Sequence, residues 1–159
     1  MLLIIVLLLL VALAAGALFG SRQSQYFLAA IVGLAVCGWV ALWAYDRYNA
    51  PHRVADWLNL KEAPRSLAVL DCKDAMLPTD FVSNCLVSID SDQFSQLLAG
   101  YSYEHQSWHS NEVSLATGAR KFDATDVYTV TPASFEHGGA VSIYANASRG
   151  LAIVDIYIE

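Results

Sequence analysis

The chain has 159 residues, of which 56% are hydrophobic and only 15% charged, too apolar for an ordinary soluble domain. The apolar excess is concentrated ahead of Asp46, where Arg22 is the only charged side chain. From Pro51 onward acids outnumber Lys and Arg by two to one, for a net charge near −7. That balance argues against a nucleic-acid surface, because binding phosphates needs clustered basic residues.

Two apolar runs open the chain, over residues 1–19 and 26–45. At 1.5 Å rise per residue each spans about 30 Å, the hydrocarbon thickness of a bilayer. Aromatic residues sit where the interfaces would be: Phe19, Tyr26 and Phe27 near the connection, then Trp39, Trp43, Tyr45 and Tyr48 at the far end. The connection over 20–25 is short, so the two helices are expected to form an antiparallel hairpin. Small residues recur every four positions, at Ala12, Gly16 and Gly20 and at Ala29, Gly33, Cys37 and Ala41. Such stripes let helix backbones approach closely in lipid, and Gly16, Gly20 and Gly33 are the candidate packing positions. With no Asp, Glu, Lys, Arg or His inside either run, the hairpin reads as an anchor and not as an ion or substrate route. Ala15-Gly16-Ala17 has the form of a signal-peptide cleavage site, but the run is long for a signal core and no basic residue precedes it.

Two arguments about sidedness oppose each other. Arg47, Arg53, Lys61 and Arg65 follow the second run while Arg22 stands alone in the connection, which by the positive-inside rule puts the domain in the cytoplasm. Cys72 and Cys85 point the other way. A disulfide between them would close a short loop and persist only in an oxidising compartment. The cysteines are given the greater weight, for an inner- or plasma-membrane protein with an extracytoplasmic domain.

Beyond the membrane runs, Asn49-Ala50-Pro51 is expected to break the helix, with Pro51 opening a short new one through Leu60. Residues 66–72 and 85–89 read as strands. Asp90 and Gln93 have capping-box spacing, Phe94, Leu97 and Leu98 form an apolar face, and Gly100 suits a helix end, so 91–99 predicts a helix. Residues 101–126 are polar, aromatic and without clear period. Strands follow at 125–131, 140–145 and 151–158, the last with Ala152, Val154, Ile156 and Ile158 on its more apolar face. The expected fold is a two-helix transmembrane hairpin over 1–48, a juxtamembrane helix and linker over 49–65, and over 66–159 a small α+β domain with a mainly antiparallel sheet.

Among candidate sites, His105 and His109 would share a face on a helix, and Glu112 could complete a metal site. The segment lacks a helix-forming apolar face, so an exposed polar loop is the competing reading. Cys72 and Cys85 are too far apart in sequence for a redox C-x-x-C turn and read as a structural disulfide. His137-Gly138-Gly139 lacks the nucleophile turn that an oxyanion loop needs. Asp90-Ser91-Asp92 is too short for a calcium loop. Asn146-Ala147-Ser148 matches a glycosylation acceptor in a surface turn. Tyr101, Tyr103 and Trp108 place three large aromatics in one polar stretch, good anchors for a partner.

No cofactor is expected, and no small-molecule ligand is defined. The function these features suggest is that of a membrane-anchored domain of the cell envelope that binds another envelope protein, as a toxin-neutralising protein or a complex subunit does. The alternatives are a small metal-dependent hydrolase using His105 and His109, and a subunit packing by its helices inside a larger membrane complex.

Overall fold

The computed structural model describes residues 22–76, 80–115, 117–135 and 137–159. The chain divides into two units at Tyr48–Asn49. The first expected membrane run, with Gly16 and Gly20, lies outside the described residues; of the expected hairpin the described residues hold one helix, α1 (Arg22–Trp57). Over Ala29–Trp57 it is the one described helix long and apolar enough to cross a membrane. Several of its large side chains are exposed, Leu34 by 74% and Trp43 by 61%. No described residue comes within 4 Å of a Cβ placed at Gly33.

The expected break at Pro51 does not occur, since α1 runs through it to Trp57. A proline inside a helix removes a hydrogen bond and costs about 3 kcal/mol. Burial offsets that cost. Ala50, Val54 and Leu58 repeat every four residues and enter the core of the second unit, the last two fully buried. Two such side chains contribute about 2 kcal/mol each. The helix then stops in a left-handed cap. Asn59 takes φ 54°, its N–H donates to Asp56 O, and the Leu60 N–H donates to Ala55 O.

Six strands follow: β1 (Ala68–Met76), β2 (Phe81–Ser88), β3 (Glu104–Val113), β4 (Arg120–Val130), β5 (Gly139–Ala145) and β6 (Leu151–Ile158). They form one antiparallel sheet in the order β1-β2-β6-β5-β4-β3. After the β1–β2 hairpin the chain crosses through α2 (Phe94–Leu97) to the far edge, then meanders back until β6 pairs with β2. The end of α1 and α2 cover one face, burying Cys85, Val87, Tyr128, Val141, Ile143, Ala152, Val154 and Ile156. This is a two-layer α+β domain.

The helix expected over 91–99 shrinks to the four residues of α2. Gln93 makes no cap; its Oε1 accepts from Ser66 Oγ at 3.0 Å, and the Asp90 N–H donates to the same hydroxyl at 3.0 Å. Turns with i to i+3 bonds flank it on both sides. Gly100 serves close approach instead of a helix end, because a Cβ there would collide with the backbone carbonyls of Leu58 and Asn59.

The second face of the sheet carries a smaller apolar cluster of Val113, Leu115, Ala124 and Ile153, with Leu86, Phe122 and Tyr144 against it. Only Asp126–Val130 of β4 pairs with β5. The rest of the β3–β4 hairpin is an arm that reaches across this face to β2 and β1. There Thr117 and Arg120 hydrogen-bond the fully buried Asn84, and Arg120 pairs with Asp71.

Candidate docking edge

Residues 104–113, expected as an exposed polar loop, form strand β3 at the edge of the sheet. It pairs with β4 on one side and with no described strand on the other. Its first six positions, Glu104, His105, Gln106, Ser107, Trp108 and His109, are all exposed. Pairing with β4, not burial, makes this segment a strand.

His105 stands opposite Tyr128 in the register and stacks on its ring, centroids 4.7 Å apart. Its Nε2 lies 2.6 Å from Asp126 Oδ1. That hydrogen bond holds the Asp126 carboxyl below its ordinary value, with Thr125 and the nearby Arg149 acting in the same direction against partial burial. Arg149, in the β5–β6 turn with φ 55°, also lies over the Phe94 ring. The pairing orients the His105 ring; no serine or cysteine is hydrogen-bonded to it among the described residues.

The helical spacing behind the metal reading of His105, His109 and Glu112 does not hold on a strand. At about 3.3 Å rise, residues four apart are about 13 Å apart, too far to share an ion. Among the described residues no group of three or more His, Cys, Asp or Glu is placed to hold a metal.

The three aromatics do not form one patch. Tyr101 and Tyr103 meet edge-on at 6.0 Å and pack at the margin of the main core. Burial raises the Tyr103 hydroxyl well above its usual range, and that hydroxyl has no partner among the described residues. Trp108 instead meets Tyr144 edge-on at 6.2 Å on the opposite face and stays 37% exposed.

The edge carries a bulge. Ser107 pairs with Asp126 but Ser110 with Ala124, so β3 holds one extra residue between them. Further on, Ser110 pairs with Ala124 and Glu112 with Lys121, which puts the next extra residue on β4.

At the opposite edge, Cys72 and Cys85 face each other across β1 and β2 and are bonded, Cα to Cα 4.1 Å, close to the spacing of a non-hydrogen-bonded antiparallel pair. Cys37 is a free, exposed thiol. Gly138 and Gly139 both have positive φ, 114° and 138°, as a turn into β5 requires. His137 lines an open hollow with Asp80, Tyr157 and Glu159, where the Tyr157 hydroxyl donates to Glu159 and is pushed up to about 12. Asn146 Oδ1 accepts from the Leu151 N–H and from Ser148 Oγ, organising the β5–β6 turn.

Sequence reasoning missed Asp126 and Tyr128 as partners of His105, Arg120 as the tie between arm and sheet, and Asp155. The last sits beside Asn84 and Ser142 on the second face. Burial pushes it up to about 6, and its Oδ1 is without a partner among the described residues. No local pattern marks these residues, because strand register alone brings them to their neighbours.

The fold and edge define a class: a small disulfide-tied antiparallel domain carried on a long apolar helix. The chain matches no protein-family model, and no curated protein sequence or solved structure is similar to it.

Proposed function

We propose that this protein is a membrane-anchored, extracytoplasmic domain of the cell envelope that docks a protein partner along strand β3. The anchor is α1, whose apolar length would be costly to leave in water and matches a bilayer. The Cys72–Cys85 bond supports an oxidising compartment.

The observation that carries the docking reading is the β3 edge itself. An exposed strand with unpaired backbone groups is a template for a further strand, and proteins blunt such edges with charged side chains, Pro and bulges. Strand β3 has Glu104, Glu112 and the bulge between Ser107 and Ser110, but neither Lys nor Pro. The other edge, β1, carries Asp71, Lys73 and Asp74, with Arg53 and Arg120 paired to its acids.

A photo-activatable residue in place of His109 in the full chain, irradiated in intact cells, is expected to give a discrete adduct above the monomer. The same residue in place of the exposed Lys61 is expected to give none. Absence of an adduct from position 109 contradicts docking at β3.

A further inference from the structure

We infer that the arm over residues 113–120 is a strap controlled by a proton. With Asp155 protonated the arm lies closed over the second face of the sheet, and with Asp155 ionised it comes free.

Asp155 stands in mid-sheet, opposite Asn84 of β2 on one side and Ser142 of β5 on the other. Both neighbours are engaged elsewhere. Asn84 is fully buried and turned to the arm: its Nδ2 donates to Thr117 Oγ1, and its Oδ1 accepts from Arg120 Nη1 at 3.3 Å. Ser142 is hydrogen-bonded to Tyr144, and its Oγ lies 3.4 Å from Thr129 Oγ1. Asp155 Oδ1 is therefore closed off from solvent with no partner among the described residues. A protonated carboxyl tolerates such a place. An ionised one does not, because a buried charge needs a pair or hydrogen bonds.

The groups that face Asp155 bring no charge to its aid. Ile153 and Tyr157 flank it along β6 on the same face, and the Tyr157 hydroxyl donates to Glu159. Tyr144 lies diagonally across on β5, its hydroxyl raised by burial first and by the Asp155 charge second. The nearby cations are Lys73, which faces Asn84 from β1, and Arg120, which bridges Asn84 to Asp71 of β1. Both stand on the β1 side of Asn84, away from β6. Burial alone pushes the Asp155 carboxyl up to about 6.

The donor within reach is the Asn84 amide. Cross-strand neighbours on one face hold their Cβ atoms about 5 Å apart, so a turn of that amide brings Nδ2 to the carboxylate. A charged acceptor binds a donor about twice as strongly as a neutral hydroxyl does. Thr117 then loses its donor and Arg120 its buried acceptor, since both hang on the same amide. What remains at that end is the Arg120–Asp71 pair, whose carboxylate is exposed and holds weakly. In the opened arm the Asp155 carboxyl returns toward the ordinary value of about 3.9. The closed state is thus favoured at low pH and loses ground as pH rises through 6.

Hydrogen exchange on the full chain in detergent tests this at pH 4.5 and pH 7.5, with rates corrected for the intrinsic effect of pH. A hairpin lifted off its sheet is marginal in water, so opening exposes the arm amides. Their protection is expected to fall roughly tenfold at the higher pH, and low denaturant is expected to leave that exchange unchanged, as local opening requires. Asp155→Asn cannot ionise and is expected to keep the arm equally protected at both pH values. Asp155→Ser serves the same purpose should the amide disturb folding. Arm protection that stays constant with pH while β5 and β6 lose theirs overturns the inference, because the proton is then released only by unfolding the whole domain. A loss at pH 7.5 that persists in both variants overturns it as well.

Discussion

Trp108 and Val113 lie on the same face of the sheet although five residues of one strand separate them, Trp108 against Tyr144 and Val113 against Ile153. The bulge that brings this about starts the arm that folds over the second face. Arg120 is where that arm is tied down. Replacing Arg120 by Met leaves the buried Asn84 with one partner fewer and Asp71 without its cation. A buried polar group losing its partner costs about 1–3 kcal/mol. Amide exchange of residues 113–120 is expected to accelerate at least several-fold, while β5 and β6 stay protected. Unchanged exchange in the arm contradicts this tie.

Asp155 makes the domain sensitive to pH. Its carboxyl is pushed up to about 6 by burial, against about 3.9 in an unfolded chain. The folded state therefore holds the proton more tightly. The cost of ionising it is absent below about pH 4, grows as pH rises through 6, and is full above that. Because the group is partly open to solvent, the cost is discounted to about 1 kcal/mol. Asp155→Asn is expected to raise the Tm at pH 8 and to leave it unchanged at pH 4. An equal shift at both pH values sinks this account.

Leu58 belongs to the domain core although it follows directly on the apolar helix. Leu58→Ala is expected to cost about 2–5 kcal/mol, seen as a lower thermal midpoint of the domain in detergent. The chain should still sediment with membranes. Leu42→Ala, on the exposed part of α1, should leave the midpoint where it was. A Leu58 variant with an unshifted midpoint would show that α1 ends outside the core.

The Cys72–Cys85 bond joins residues 13 apart, and closing so short a loop is worth about 3 kcal/mol in the chain-entropy model. The double replacement Cys72→Ala, Cys85→Ala is expected to lower denaturant resistance of the full chain by that order. Reductant should do the same to the wild type and nothing to the variant. An effect of reductant on the variant would point to another thiol.

The parts of the fold legible in the sequence are those with clean periodicity. Strands β5 and β6 were expected almost residue for residue, because Val141, Ile143, Ala152, Val154 and Ile156 alternate and glycines bound them. Strand β3 was not, since an edge strand needs no apolar face and its bulge breaks what alternation it has. The continuation of α1 through Pro51 was hidden for a different reason: the burial of Val54 and Leu58 outweighs a local breaker, and burial is decided by the whole fold. Gln93 misled in the same way, its amide being taken by Ser66, 27 residues away. At the candidate edge, His105 and Trp108 stood out by residue type, but Asp126 and Tyr128 become their neighbours only through the β3–β4 register.

The measurement that reaches the central claim most directly is accessibility of the domain in intact cells. With Cys37 replaced by Ala and the exposed Lys61 by Cys, the full chain is treated with a membrane-impermeant maleimide before and after permeabilisation. An anchored domain outside the cytoplasm predicts full labelling beforehand, on a protein that stays in the membrane pellet after alkaline extraction. Labelling only after permeabilisation, or release of the chain by the extraction, contradicts it.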